Sequence, residues 1–322
     1  MCIFIDWLVV RVFLSFYKKM WSVNEANRSY KHLRLIRHDR HVLEVRMVRG
    51  KKRNAMNKRM WMEIGHAFSN VIPFDETVRV SVLTGEGKIF SSGIDLMDVV
   101  NSGGIGGSLG SSGADTVVEK ASAILSVGRL WQKSFSAIMY CPKPVIAAIQ
   151  GGCFGAALEM VLFCDIRFTT KSTIFKAPEV DLAFAADVGG NQMIARVTGN
   201  DSLARELMML GRSLSGSEAL RFGLVSRVLE TNEQLHAEAF EAAARIAEKS
   251  PVASAGVKTI LNYSREHNIE DSLQFSLTWN AAMLQTKDTA VAGFAFFNKK
   301  KPTFGSTPSF LAPPLELPKA KL

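Results

Sequence analysis

The chain has 322 residues, 47% of them hydrophobic and 21% charged, which is enough apolar material for one large globular core or two modest ones. A net charge of +9 and a pI near 9.4 point to an anionic partner: nucleic acid, an anionic membrane or a phosphorylated small molecule. No aromatic RNA-binding motif or zinc-finger spacing accompanies that charge, so nucleic acid is set aside as a partner, and Cys2, Cys141, Cys153 and Cys164 match neither a zinc site nor a CxxC pair and read as reduced intracellular thiols.

Residues 1–20 are apolar but broken by Asp6 and Arg11, too short to span a bilayer and without a basic leader. They read either as an amphipathic surface anchor or as sequence ahead of a start at Met20. Basic residues then crowd the chain as far as Lys51, Lys52 and Arg53. Residues 41–47 alternate in polarity and predict a strand. Residues 52–71 predict a helix, with Met56, Met60, Ile64 and Phe68 at fourfold spacing on one face. Residues 78–87 read as a strand ended by Gly85 and Gly87, and the glycine-serine run 101–115 as a mobile loop. A long amphipathic helix follows over 114–141, then a buried strand over 143–152, a buried helix over 155–164, a strand over 165–170, and a short strand and turn over 173–182. From Thr198 the pattern is helical, with Asn200 and Ser215 as cap candidates and a last strand over 224–230. Alternating strand and helix followed by helices predicts an α/β core with a helical appendix. Residues 302–322 hold half of the ten prolines and read as an irregular tail. It finishes Ala320-Lys321-Leu322, similar to the small-basic-leucine address read by the peroxisomal import receptor.

None of the six histidines lies between residues 67 and 235, so chemistry in that core falls to other groups. Three segments are candidates. In residues 88–96, Ser91-Ser92-Gly93 turns the chain so that the amides of Ile94 and Asp95 can face a cleft; an ordinary glycine turn has the same sequence. In residues 145–160 a buried strand runs through a glycine pair into a helix start, where unpaired N–H groups suit a developing oxyanion. Glu159 sits early in that helix, either complementing its dipole or handling protons. In residues 178–190, Glu179 and Asp187 bracket the apolar run 182–186 at the edge of a buried element. Apolar surroundings would raise their pKa values toward the range useful for acid–base work, while the plainer reading makes Asp187 a cap for the helix that follows.

Taken in order, residues 52–64, 90–99, 145–168, 177–190 and 211–228 resemble the enoyl-CoA hydratase/isomerase (crotonase) family, the likeness covering about residues 40–300. The resemblance implies an α/β fold, a crotonase-like spiral of ββα units with a C-terminal helical trimerisation region. It divides the chain into an extension (1–38), spiral core (39–232), helical oligomerisation region (233–300) and tail (301–322). It implies an acyl-CoA substrate, coenzyme A as part of that substrate with no metal or redox cofactor, and homotrimers or hexamers. The backbone amides of Ile94 and Ala156 take the place of the family's oxyanion hole, with alanine where glycine is usual. Ser92, Gly93, Ile94, Asp95, Leu96 and Ala156 become substrate contacts, and Arg53 and Lys58 partners for the phosphates of CoA. Glu159 and Glu179 match the two glutamates of the hydratases. Asp187 instead is similar to the Δ3,5-Δ2,4-dienoyl-CoA isomerases, which usually carry aspartate where this chain has Glu159. Isomerisation needs proton removal at C2 and delivery at C6, too far apart for one carboxylate, and Glu179 with Asp187 would supply both. Hydration by Glu159 and Glu179, or a non-catalytic acyl-CoA-binding role, are the alternatives. The tail implies a peroxisome or related organelle such as a glycosome, with the mitochondrion as the alternative.

Overall fold

The computed structural model describes residues 21–101 and 116–306. The apolar start, the glycine-serine loop and the tail with Ala320-Lys321-Leu322 therefore lie outside the described residues. No helix among the described residues is long and apolar enough to cross a membrane.

Helix α1 (Val23–Ser29) leads into a six-stranded sheet. In chain order the strands are β1 (Leu33–His38), β2 (Val42–Met47), β3 (Val80–Gly85), β4 (Val145–Ile149), β5 (Gly152–Phe154), β6 (Ile166–Thr170), β7 (Ile174–Lys176), β8 (Ser213–Ser215) and β9 (Arg227–Leu229). The large sheet has the order β1-β2-β3-β4-β6-β9, parallel except for β1 against β2, and β5-β7-β8 form a second sheet. β4 and β5, and again β6 and β7, thus lay one strand in the large sheet and the next in the small one before helical structure closes the unit. β4 and β5 are followed by α5 (Ala156–Val161), and β6 and β7 by a 3₁₀ turn (Glu179–Leu182), α6 (Gly190–Thr198) and α7 (Asp201–Leu210). α8 (Gly216–Arg221) leads to β9.

The apolar run of β4 is buried on both faces, as a covered parallel strand requires. Val145, Ala147 and Ile149 join the main core; Ile146 and Ala148 join a second cluster with Val80 and Val82. Leu235, Ala239, Ala243 and Ala247 of α9 (Asn232–Ala247), spaced four apart, cover that second face. α9 therefore packs on the sheet, although the sequence boundary at 233 sets it with the appendix. An alanine face has the same period whichever surface it meets. α10 (Pro251–Ser264), α11 (Ile269–Met283) and α12 (Lys287–Phe297) follow. Leu273, Leu277, Phe294, Phe296 and Phe297 on the last two are exposed.

β1 lies within the segment set apart as an extension. Its basic side chains hide a strand whose first residues are fixed by a distant acid: fully buried Glu63 accepts the N–H groups of Lys31 (2.7 Å), His32 (2.8 Å) and Leu33 (3.2 Å), and Arg59 Nε at 2.8 Å. Glu63 belongs to α2 (Lys58–His66), which starts later than the predicted 52–71 because Asn57 caps it through Met60 N–H. Met56, Met60, Ile64 and Phe68 are buried as expected. Glu63→Ala strands three N–H donors and Arg59 at once. Urea unfolding is expected to show a loss of about 3–5 kcal/mol, with Glu63→Gln milder because an acceptor remains.

Candidate active site

The first loop is shaped by Asn54. Arg53 and Asn54 both adopt left-handed backbone (φ 52° and 50°), a strained pair that the Asn54 side chain offsets. Its Nδ2 donates to the carbonyls of Glu86, Ile89 and Phe90, and its Oδ1 accepts Arg49 N–H. Ser92 N–H is tied to Arg53 O at 2.9 Å, and Met56 N–H to Gly93 O at 2.7 Å. Gly93 has φ +83°, and a Cβ there would stand 2.5 Å from Phe154 O and 3.4 Å from Ala156 N. This close approach brings the loop against the start of α5. The N–H groups of Ile94 and Ala156 donate to no carbonyl among the described residues, and α5 starts without a side-chain cap. Two free amides at one helix start can receive a developing negative oxygen.

A cavity of about 100 Å³ lies beneath them, lined by Ser92, Ile94, Leu96, Ala156, Glu159, Glu179 and Asp187 together with Trp61, Trp131 and Phe184. All three carboxylates singled out in the sequence thus converge on it. Glu159 is 2% exposed, and its Oε2 accepts the N–H groups of Val188 (3.2 Å) and Gly190 (2.6 Å). It thereby braces the turn that carries Asp187. Burial pushes its pKa up to about 8, the charges of Glu179 and Asp187 adding to the rise and the two amides opposing it. Glu179 is 5% exposed, and its Oε2 has no hydrogen-bond partner. Burial first, and then the charge of Asp187, raise its pKa. Asp187 is more open, and partial desolvation raises its pKa too. Three acids with raised pKa values around a small cavity can give protons to a ligand or take them from it.

Asp187 does not cap α6: the cap position is Gly189, and no side chain bonds there. The run 182–186 is not buried as a whole either; within it only Ala186 is. Leu182, Ala183 and Ala185 are exposed, and Ala183 turns left-handed (φ 63°). Leu182 and Phe184 line the cavity, where apolar character serves a ligand and not the core; Ala183, Phe184, Ala185 and Ala186 with Glu179 border a neighbouring hollow of about 590 Å³. Asp95 turns away from the cavity: it pairs with Arg49 at 2.6 Å, and its Oδ1 accepts Met97 N–H, which fixes the turn after Ile94. Arg53 and Lys58 are exposed and do not line the cavity. The sequence reading missed Trp61 and Trp131, because an aromatic on a helix face reads as core, and missed Arg49, whose partner is remote in the chain.

The chain is 41% identical over 263 residues to the mitochondrial Delta(3,5)-Delta(2,4)-dienoyl-CoA isomerase of Mus musculus, covering 82% of this chain and 78% of that protein. It is 37% identical over 278 residues to the peroxisomal Delta(3,5)-Delta(2,4)-dienoyl-CoA isomerase of Arabidopsis thaliana, covering 86% and 98%. The crystal structure of an enoyl-CoA hydratase from Bacillus anthracis superimposes with a TM-score of 0.75 at 25% identity, over 85% of this chain and 99% of that one. A family model described as enoyl-CoA hydratase/isomerase matches residues 37–307, and the chain belongs to that family.

Proposed function

We propose that the chain isomerises 3,5-dienoyl-CoA to 2,4-dienoyl-CoA in fatty-acid β-oxidation. The observation that carries this reading is Asp187 facing the same cavity as Glu179, whose Oε2 has no hydrogen-bond partner, with the Ile94 and Ala156 amides on the same cavity. Relatives named as dienoyl-CoA isomerases support it. In this reading the N–H groups of Ile94 and Ala156 hold the thioester oxygen. Glu179 takes a proton from C2, and the electron pair spreads over an extended dienolate with charge on that oxygen. Asp187, protonated, delivers its proton to C6, leaving double bonds at C2 and C4. Glu179 ends protonated and Asp187 ionised, and exchange with water restores the starting state. Glu159 stays neutral at pH 7 and keeps a third charge out of the cavity.

Hydration is the second reading, because Glu159 and Glu179 face one cavity; it leaves Asp187 without a task. Incubation with a 3,5-dienoyl-CoA, followed by the absorbance of the conjugated 2,4-product, separates the two. Conversion by the wild type is expected, and its absence would sink the isomerase reading. Glu159→Gln is expected to keep isomerisation within about tenfold, since the amide carbonyl still accepts the Val188 and Gly190 N–H groups. Crotonyl-CoA turnover that vanishes in Glu159→Gln would favour hydration, and CoA binding with neither reaction would favour a non-catalytic member.

The phosphates of CoA are assigned to Arg53 and Lys58, whose exposed cations flank the first loop. The reaction calls for no metal or redox cofactor. The exposed apolar faces of α11 and α12 support a homotrimer or hexamer. The names of the relatives support a peroxisome-like organelle, or the mitochondrion as the alternative.

A further inference from the structure

Trp131 offers a donor that nothing in the described chain uses. It belongs to α4 (Val117–Tyr140), is 9% exposed and lines the carboxylate cavity, and its Nε1 has no hydrogen-bond partner. A buried unpaired donor is costly, and an aromatic ring without an N–H would avoid that cost. The ring is clamped. It stacks on Trp61 (centroids 4.6 Å apart, planes at 19°), Trp61 stacks on Phe135 at 4.3 Å, and the Trp61 Nε1–H donates to Met56 O. Trp131 therefore has little freedom to swing toward another acceptor.

The acceptor it lacks has few sources. A hydrocarbon acyl chain brings none beyond the thioester oxygen, which the proposed function gives to Ile94 and Ala156. Glu159 already spends Oε2 on two amides, and Glu179 Oε2, itself without a partner, is the base that the proposed function keeps free for the C2 proton. Asp187 is the carboxylate whose own turn is fastened to α4 next to Trp131: Gln132 Nε2 donates to Asp187 O at 2.7 Å. We propose that Trp131 is a positioning residue that acts through Asp187, its indole N–H donating to the Asp187 carboxylate once substrate closes the cavity and aiming that oxygen at C6. The indole keeps its proton throughout, and the proton that moves is the carboxyl's. The inference rests on the assignment of Asp187 to C6.

Among the described residues, the charged groups that line the cavity with Asp187 are Glu159 on α5 and Glu179 on the 3₁₀ turn, while α4 contributes the uncharged Trp131 and Gln132. Trp131→Phe keeps the stack and removes the donor. It is expected to lower kcat on a 3,5-dienoyl-CoA about tenfold with KM within about twofold, and to move to higher pH the limb of the profile that Asp187→Asn removes, because a carboxylate that loses a donor gains pKa. In an Asp187→Asn background the same change is expected to add nothing further. An unchanged kcat and pH profile, or an equal loss in the Asp187→Asn background, would overturn the proposal. Full activity of Asp187→Asn alone would remove the assignment to C6 beneath it, a failure visible before Trp131 is touched. Should Trp131→Phe fold poorly, benzothienylalanine at position 131 keeps the ring shape without the N–H and is expected to give the same result.

Discussion

Glu179→Gln is expected to lower turnover of a 3,5-dienoyl-CoA by about a hundred- to ten-thousandfold with little change in KM. The amide fills the same buried space but accepts no proton, so the loss falls on the chemical step. Asp187→Asn is expected to act alike. C2 and C6 are four bonds apart, and a carboxylate fixed beside one is out of hydrogen-bond reach of the other. The double variant is expected to be little worse than either single one, because groups serving one proton path fail as a unit. The pH profile carries the same signature. Both carboxyls have raised pKa values, so the limb that requires an ionised base lies above the usual carboxylate range and activity is lost as the pH falls through it. In the working form Asp187 holds a proton and Glu179 is ionised, so activity is also lost as the pH rises through the limb set by Asp187. Full turnover by Asp187→Asn beside an inactive Glu179→Gln would replace this with a single-base mechanism.

Much of this site was legible in the chain because its signals are local. The buried run at 145–149, the glycine turn after it and Glu159 on the next helix are contiguous, and contiguity fixes geometry. The same holds for Glu179 and Asp187, whose places at the two edges of the apolar run marked them before any cavity was seen. What escaped depends on partners distant in sequence. β1 was hidden because its N–H groups are satisfied by Glu63, about thirty residues on, and because arginines mask its apolar alternation. The early helix was placed too soon because its apolar period continues through Met56, while the backbone at Arg53 and Asn54 is left-handed. Asp95 looked like a substrate contact beside Ile94, and only the fold shows Arg49 claiming it. The stretch 182–186 is apolar for a different reason from a core segment: Leu182, Ala183 and Ala185 are exposed, and Leu182 and Phe184 line the cavity, where a greasy ligand would cover them. Periodicity reports that a face is apolar and not what covers it, which is also why α9 was grouped with the wrong neighbours.

Gly93→Ala is the sharpest test of the oxyanion site. Only small distortions separate a working pair of amides from a useless one, and Gly93 sets their spacing. At φ +83° an alanine is strained, and its methyl carbon would meet Phe154 O at 2.5 Å, a backbone atom of β5 that has no rotamer to escape into. The first loop must then lift away from the strand, carrying the Ile94 N–H away from the Ala156 N–H. Removing one such donor typically costs about a hundred- to a thousandfold in kcat, and Gly93→Ala is expected to fall in that range while the protein stays folded by circular dichroism and still binds CoA. Ala156→Gly is the control. It keeps the amide, removes only a methyl group, and is expected to turn over within a few-fold of the wild type. The two variants differ by one carbon each, on opposite sides of the same gap, so a large loss in the first beside near-normal activity in the second locates the effect in the amide geometry and not in the volume of the pocket. Near-normal kcat in Gly93→Ala would mean that the thioester oxygen is held elsewhere.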